Sequence, residues 1–314
     1  MSPRHVRDVD DLGQVGLERV LELAERTDPS TPLAGRGVAL VFEKPSARTR
    51  SATEMAVVAL GGHPVYIQGP EVGIDVREPA EDVARTLACY HRVIGARVMD
   101  HRTLERMAAA LDAAGSDVPV VNLLSDLAHP GQAVADLLTM RRVLGREDLA
   151  GVVVAYVGDA NNVLRSLASA GVMVGMEIRV ASPGGYGVRE EELRRLQTLA
   201  SRTGGGTVSV TDDPYRAVAG ADVVYTDVWT SMGQEGESEE RRRAFARFTV
   251  DEALMSAARP GAVVMHCLPA HRGEEITAAV VDGPQSVVWV QAAARMAAMR
   301  GLLAWVLGAP GGEG

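Results

Sequence analysis

Short apolar runs alternate with longer stretches of helical period along nearly the whole chain. Val38–Phe42, Pro64–Ile67, Val93–Met99 and Val118–Val121 read as strands. Helices are predicted around them. Residues 11–26 carry Leu12, Val15, Val20, Leu21 and Leu23 at near-helical spacing, and 48–60 carry Met55, Val58 and Ala59 on one side. Glu78–Tyr90 has an acidic first turn, and helices follow at 103–114 and Gln132–Leu144. The rhythm restarts at Val152: Val152–Val157, Ile178–Ala181, Val208–Val210, Val223–Thr226 and Val263–His266 are strands, and 163–174, 189–202, 213–219 and 291–307 are helices. Such alternation predicts an α/β protein with parallel sheets covered on both faces. At 314 residues the chain is long for one core, and domains of about 150 residues are the expectation. The break falls near 140–150. No repeat of fixed period interrupts the pattern.

Composition narrows the function. Aromatic residues make up only 4% of the chain, so the cores are built from Ala, Val, Leu and Met. The net charge is −9 and no long basic run occurs, which argues against electrostatic binding to nucleic acid. Arg241, Arg242 and Arg243 sit beside Glu237, Glu239 and Glu240, a pattern expected of a solvated loop. The two cysteines, Cys89 and Cys267, form no Cys-x-x-Cys, so neither a disulfide framework nor a zinc site is expected. No apolar run approaches the ~20 residues needed to span a bilayer. Met1-Ser2-Pro3-Arg4-His5 does not read as a signal peptide, and the cytoplasm is the expected compartment.

Ligands of open α/β sheets sit at the carboxyl ends of strands, which selects the loops after Phe42, Leu124, Val157, Thr226 and His266. Ser46-Ala47-Arg48-Thr49-Arg50 places two hydroxyls and two guanidinium groups at a helix start. Unpaired N–H groups and the helix dipole favour an anion there, and arginines fork onto phosphate. A capped helix with surface arginines is the plainer alternative. His129-Pro130-Gly131-Gln132 offers an imidazole and a carboxamide to a carbonyl oxygen, or merely caps a helix. Gly158-Asp159-Ala160-Asn161-Asn162 lacks G-x-G-x-x-G, so a dinucleotide is not expected, and the paired asparagines suit a carboxylate. Asp227 and Ser231 suit an ammonium group, unless Asp227 is simply a surface residue. His266-Cys267 suggests a nucleophile, but strand neighbours point to opposite faces, so Cys267 reads better as lining a pocket.

In order and spacing, these loops resemble the aspartate/ornithine carbamoyltransferase family from Phe42 to Leu307. Phe42-Glu43-Lys44-Pro45-Ser46-Ala47-Arg48-Thr49-Arg50 is similar to its carbamoyl-phosphate motif and His129-Pro130-Gly131-Gln132 to its His-Pro-x-Gln. Asp227 through Met232 and His266 through Pro269 resemble the ornithine branch in particular. The resemblance implies a carbamoyl-phosphate domain at 1–140, an ornithine domain at 141–290 and a C-terminal helix, 291–314, returning to the first domain. It implies phosphate contacts from Ser46, Ala47, Arg48 and Thr49, with Arg97 bridging phosphate and carbonyl oxygen. His129, Gln132 and Arg295 would polarise the carbamoyl group. Asn162, Asp227, Ser231 and Met232 would bind the amino acid, and Cys267 and Leu268 would orient its amine. Arg97, His129, Gln132, Cys267 and Arg295 are thus the expected catalytic set. No metal, no cofactor and no covalent intermediate is implied. The implied assembly is a trimer or a multiple of trimers, with a loop near 73–79 reaching a neighbour's site. The implied products are citrulline and phosphate; another acceptor amine, or a ligand-binding paralogue, is the alternative.

The chain departs from the family pattern at several positions. Ala47 stands where the motif usually has Thr, and Ala293-Ala294 where Glu-Asn usually precedes the arginine. Arg165 replaces a small polar or His residue, and Gly73-Ile74-Asp75 replaces a Gln-Leu-Gly segment. These changes gather on the carbamoyl-phosphate side.

Overall fold

The computed structural model describes residues 4–203, 205–230 and 235–309. The chain forms two compact units, one of residues 1–135 and 294–314, the other of residues 136–293.

The first unit contains β1 (Gly37–Phe42), β2 (His63–Gln68), β3 (His91–Arg97) and β4 (Val120–Leu124) in the order β2-β1-β3-β4. The pairings are parallel, with Val38 opposite both Pro64 and Val93. Its helices are α1 (Gly13–Glu25), α2 (Ala47–Ala59), the short α3 (Gly69–Val72), α4 (Ala80–Ala88), α5 (His101–Ala113) and the start of α6 (Pro130–Leu144). One face of the sheet, with Ala39, Val41, Ile94 and Ala96, packs on Val83, Leu104 and Met107 of α4 and α5. An N-terminal segment pairs beside β4, Val6 opposite Val121.

The second unit contains β5 (Val153–Val157), β6 (Glu177–Ala181), β7 (Thr207–Thr211), β8 (Val223–Thr226) and β9 (Val263–His266), all parallel, in the order β7-β6-β5-β8-β9. α7 (Asn162–Met173), α8 (Glu190–Thr203), α9 (Pro214–Val218), α10 (Ser238–Phe245), α11 (Glu252–Ser256) and α12 (Ala278–Val281) surround it. The strand order reverses at β5/β8, the position where such sheets open a crevice. The last helix, α13 (Val288–Val306), enters the first unit at Ala294. A Cβ on Gly301 would lie 2.4 Å from Val20 O, so only glycine lets α13 lie this close to α1.

The expected α/β class and two covered parallel sheets are found. Some element bounds move for identifiable reasons. β4 begins at Val120 because Pro119 has no N–H to give the ladder. It runs on to Leu124 through the buried amide of Asn122. α2 begins at Ala47 because Ser46 caps it, its Oγ accepting the Thr49 N–H. Val15, Met55 and Val58, counted on apolar helix faces, are exposed. The expected solvated loop at 241–243 is instead part of α10, and Arg241 is buried.

Candidate active site

Parallel strands deliver all their carboxyl ends to one edge of each sheet, and most of the expected residues that the structure describes lie at or after those ends. In the first unit, Arg97 ends β3, Ser46 to Thr49 open α2, and His129 and Gln132 stand at the start of α6. Thr49, Arg97, His129, Gln132 and Arg295 are buried, whereas Ala47 and Arg48 are exposed. Arg295, far away in sequence, donates from Nη2 to Thr49 Oγ1 at 2.8 Å. Thr49 is thus one group that orients this arginine in a chain with alanines at 293 and 294. Thr53 Oγ1 donates to Thr49 O at 2.8 Å and steadies the same turn.

The electrostatics of this edge are one-sided. Burial, then the positive charges of Arg295 and Arg48, push the Arg97 guanidinium down to about 10. Its buried Nε has no hydrogen-bond partner among the described residues. A buried unpaired donor among like charges is costly, and an anion would relieve both penalties at once. Burial first, then Arg295 and Arg97, hold the His129 imidazole well below its usual range. It is neutral at pH 7 and able to donate from one nitrogen without adding charge.

The second unit is arranged differently. Asn161 caps α7, its Oδ1 accepting the N–H groups of Val163 and Leu164 at 3.0 and 3.1 Å. Its Nδ2 donates to Asp227 Oδ2 at 2.8 Å. The Cys267 thiol donates to Asp227 Oδ1 at 3.0 Å. Asp227 is buried, so its carboxylate is presented in a fixed orientation by an amide and a thiol. Asn162 is half-buried beside Asn161 at the start of α7. Ser231 and Met232, also expected here, lie outside the described residues.

His266 is not a base for Cys267. Its Nδ1 accepts the Leu268 N–H at 2.9 Å, so Nε2 carries the proton toward Glu275 Oε1 at 3.0 Å. Its own N–H donates to Gln291 Oε1 at 2.9 Å. Leu268 is held at φ 61°, a region that disfavours a side chain, and this turn sets the direction of its carbonyl. Asp227, His266 and Cys267 present potential ligand atoms within 4.8 Å of one another, but both ring nitrogens of His266 are already engaged.

Three features of the site were not foreseen. Asn161, the neighbour of the expected Asn162, braces Asp227. Arg241 of α10 lies 3.1 Å from Asp159, 3.0 Å from Glu237, and donates to Trp229 O at 2.8 Å, so it ties together the loops after β5 and β8. Arg165 turns to Glu192 of α8 at 3.3 Å, which makes that departure a helix–helix ion pair. Within loop 73–79, Asp75 sits at φ 58° and pairs with Arg106 at 2.7 Å, which also pairs with Glu81.

Comparison with known proteins agrees with this architecture. A family described as aspartate/ornithine carbamoyltransferase, carbamoyl-P binding domain, matches residues 4–142, and its Asp/Orn binding domain matches 150–306. The chain is 48% identical to an ornithine carbamoyltransferase of Acidothermus cellulolyticus, covering 99% of each. It is 45% identical to that of Thermus thermophilus, covering 97% of each. The solved ornithine carbamoyltransferase of Pyrococcus furiosus superposes with a TM-score of 0.91 at 41% identity, with 99% of both chains covered. Two covered parallel sheets and matches to both family domains place the chain in the class of carbamoyltransferase enzymes. The chain belongs to the aspartate/ornithine carbamoyltransferase family.

Proposed function

We propose that this chain transfers the carbamoyl group of carbamoyl phosphate to the δ-amine of L-ornithine, giving L-citrulline and phosphate. The observation that carries the reading is the buried Arg97 Nε, without a partner among the described residues, in a group of three guanidiniums beside a neutral imidazole. That arrangement fits a phosphate whose neighbouring carbonyl needs polarising. The ornithine carbamoyltransferases to which the chain is 43–48% identical point to the acceptor.

Residues 1–140 bind carbamoyl phosphate, residues 141–290 bind ornithine, and 291–314 return Arg295 to the first set. Ser46, Ala47, Arg48 and Thr49 cradle the phosphate with the α2 N–H groups. Arg97 spans phosphate and carbonyl oxygen, and His129, Gln132 and Arg295 donate to that oxygen. Asn162 takes the α-carboxylate, and Asp227, Ser231 and the Met232 backbone take the α-ammonium. Cys267 and the Leu268 carbonyl orient the neutral δ-amine. The nitrogen attacks the carbonyl carbon, the C–N bond forms, and preorganised donors hold the tetrahedral oxyanion. The C–O bond to phosphate then breaks, the nitrogen releases one proton, and inorganic phosphate leaves on the arginines. Orienting both substrates supplies much of the remaining acceleration.

The exposed Met55 and Val58 on α2 support burial of that face in a homo-oligomer, read here as a trimer in which loop 73–79 reaches a neighbour's site. None of the described helices is long and apolar enough to cross a membrane, which suits a cytoplasmic enzyme of arginine metabolism. Citrulline formation from carbamoyl phosphate and L-ornithine is the test. Robust turnover is expected. Turnover only with another amine overturns the acceptor, and binding of a bisubstrate phosphonate without turnover overturns catalysis.

A further inference from the structure

The loop that delivers His129 is held by a buried polar cluster that no step of the reaction touches. Asn122 in β4 and Ser125 just beyond it are fully buried. Asn122 Nδ2 donates to Ala128 O at 3.2 Å and to Arg7 O at 2.7 Å. The Ser125 N–H donates to the same Ala128 O at 3.0 Å. The Ala128 N–H donates to Ser125 Oγ at 3.2 Å, and His101 Nδ1 lies 2.8 Å from that hydroxyl. Both peptide groups of Ala128 are therefore fixed, and the second joins Ala128 to His129. Turning that peptide plane moves His129 and its imidazole.

The cluster extends to the N-terminal segment. Val6 N–H donates to Val120 O at 2.9 Å, Asn122 N–H to Val6 O at 2.7 Å, and Val120 N–H to His5 Nδ1 at 2.9 Å. This pairing presents Arg7 O to the Asn122 amide. Asn122 Oδ1, by contrast, is buried with no partner among the described residues. Its amide is thus oriented by what Nδ2 donates to, at the cost of an unsatisfied oxygen. Aspartate has the same shape but would set a carboxylate against two carbonyl oxygens.

We infer that Asn122 is a positioning residue that fixes the His129 imidazole through the Ala128 carbonyl. This rests on the assignment of His129 to the carbamoyl oxygen. A displacement of about 1 Å costs on the order of 100-fold in rate, so a modest tilt of one peptide suffices.

The experiment is a double-mutant cycle in the full chain: Asn122→Asp, His129→Ala and both together, each assayed for citrulline formation and thermal melting. Asn122→Asp is expected to lower kcat about 10- to 100-fold while the ornithine KM stays within about twofold. In the His129→Ala background the same change is expected to cost less than about threefold, because no imidazole remains to misplace. An equal loss in both backgrounds overturns the inference. If His129→Ala alone leaves kcat unchanged, the assignment of His129 falls, and the inference with it, by a distinct result. Should Asn122→Asp not fold, Ser125→Ala, which removes the hydroxyl from the Ala128 N–H, is read in the same cycle with the same expectation.

Discussion

Three guanidinium groups gather at the carboxyl edge of the four-stranded sheet, while at the edge of the five-stranded sheet one carboxylate lies between two neutral donors. Arg97 is depressed by burial and by Arg295 and Arg48. Asp227 is instead satisfied without any ligand, by Asn161 and Cys267. The two edges prepare for their substrates in opposite ways. The first is preorganised but repels itself until an anion arrives. The second is internally braced: its two protein donors fix the direction in which the carboxylate accepts a further donor. Binding at the first edge relieves stored repulsion, and binding at the second adds donors to a carboxylate whose direction is already set.

The comparison breaks most sharply at Arg97. Arg97→Met should lower kcat/KM for carbamoyl phosphate by about 1000-fold, the scale of losing a charged donor to the oxyanion. The same substitution removes a buried cation whose Nε has no partner among the described residues, so the free protein should melt no lower than the parent. Phosphate should raise the melting temperature of the parent more than that of the variant, which keeps only the α2 cradle. A variant that melts many degrees lower would mean that Arg97 is held by the fold rather than by the anticipated ligand.

On the quieter edge the effects are smaller. Cys267→Ala removes one donor from Asp227 and should raise the ornithine KM about fivefold, the worth of one hydrogen bond. Cys267→Ser keeps a donor and should fall between. If Cys267→Ala leaves the ornithine KM unchanged and lowers kcat alone, the thiol only orients the reacting amine, and its bond to Asp227 takes no part in holding the substrate.

How far this contrast was legible in sequence depends on the range of each contact. The strands were visible as apolar runs because both faces of each sheet are covered. Most expected residues follow strand ends, which parallel pairing brings to a common edge whatever the loop lengths. The bond from Arg295 to Thr49 joins α13 to α2 and leaves no local signal, so the alanines at 293 and 294 looked like a loss when the partner lay elsewhere. Arg241 was hidden by its charged neighbours: composition alone reads a run of Arg and Glu as solvated, and only the fold aims one of them at Asp159. Asn122 sat inside an apolar strand and carried no motif. Its meaning comes from the backbone carbonyls of Arg7 and Ala128.

His129 offers a pH test of the basic edge. Its folded pKa is depressed by burial and by Arg295 and Arg97, whereas the unfolded chain protonates near the ordinary value of about 6.5. Below that pH the unfolded state binds more protons, so stability is lost as pH falls through about 6.5. His129→Gln should narrow the stability difference between about pH 7.5 and about pH 5.5, as read by urea midpoints. In the parent, kcat should show no titration of His129 between about pH 6.5 and 8. An unchanged stability difference would mean that the imidazole titrates in the folded protein as it does in the unfolded chain.

The finest distinction concerns Ala47. The first turn of α2 presents backbone N–H groups to the proposed phosphate, and Ser46 caps it by accepting the Thr49 N–H. Ala47 keeps its N–H but offers no hydroxyl. It is exposed, so a threonine there would meet solvent rather than packed atoms. Ala47→Thr should therefore lower the carbamoyl-phosphate KM only about two- to threefold, less than a full hydrogen bond because water already solvates an open phosphate face. The ornithine KM should not move, since the change lies wholly on the anion edge. A reduced kcat with unchanged KM would instead mean that the added methyl disturbs the Thr49 hydroxyl and, through it, the aim of Arg295. The missing hydroxyl would then be a steric allowance for that arginine rather than a lost contact.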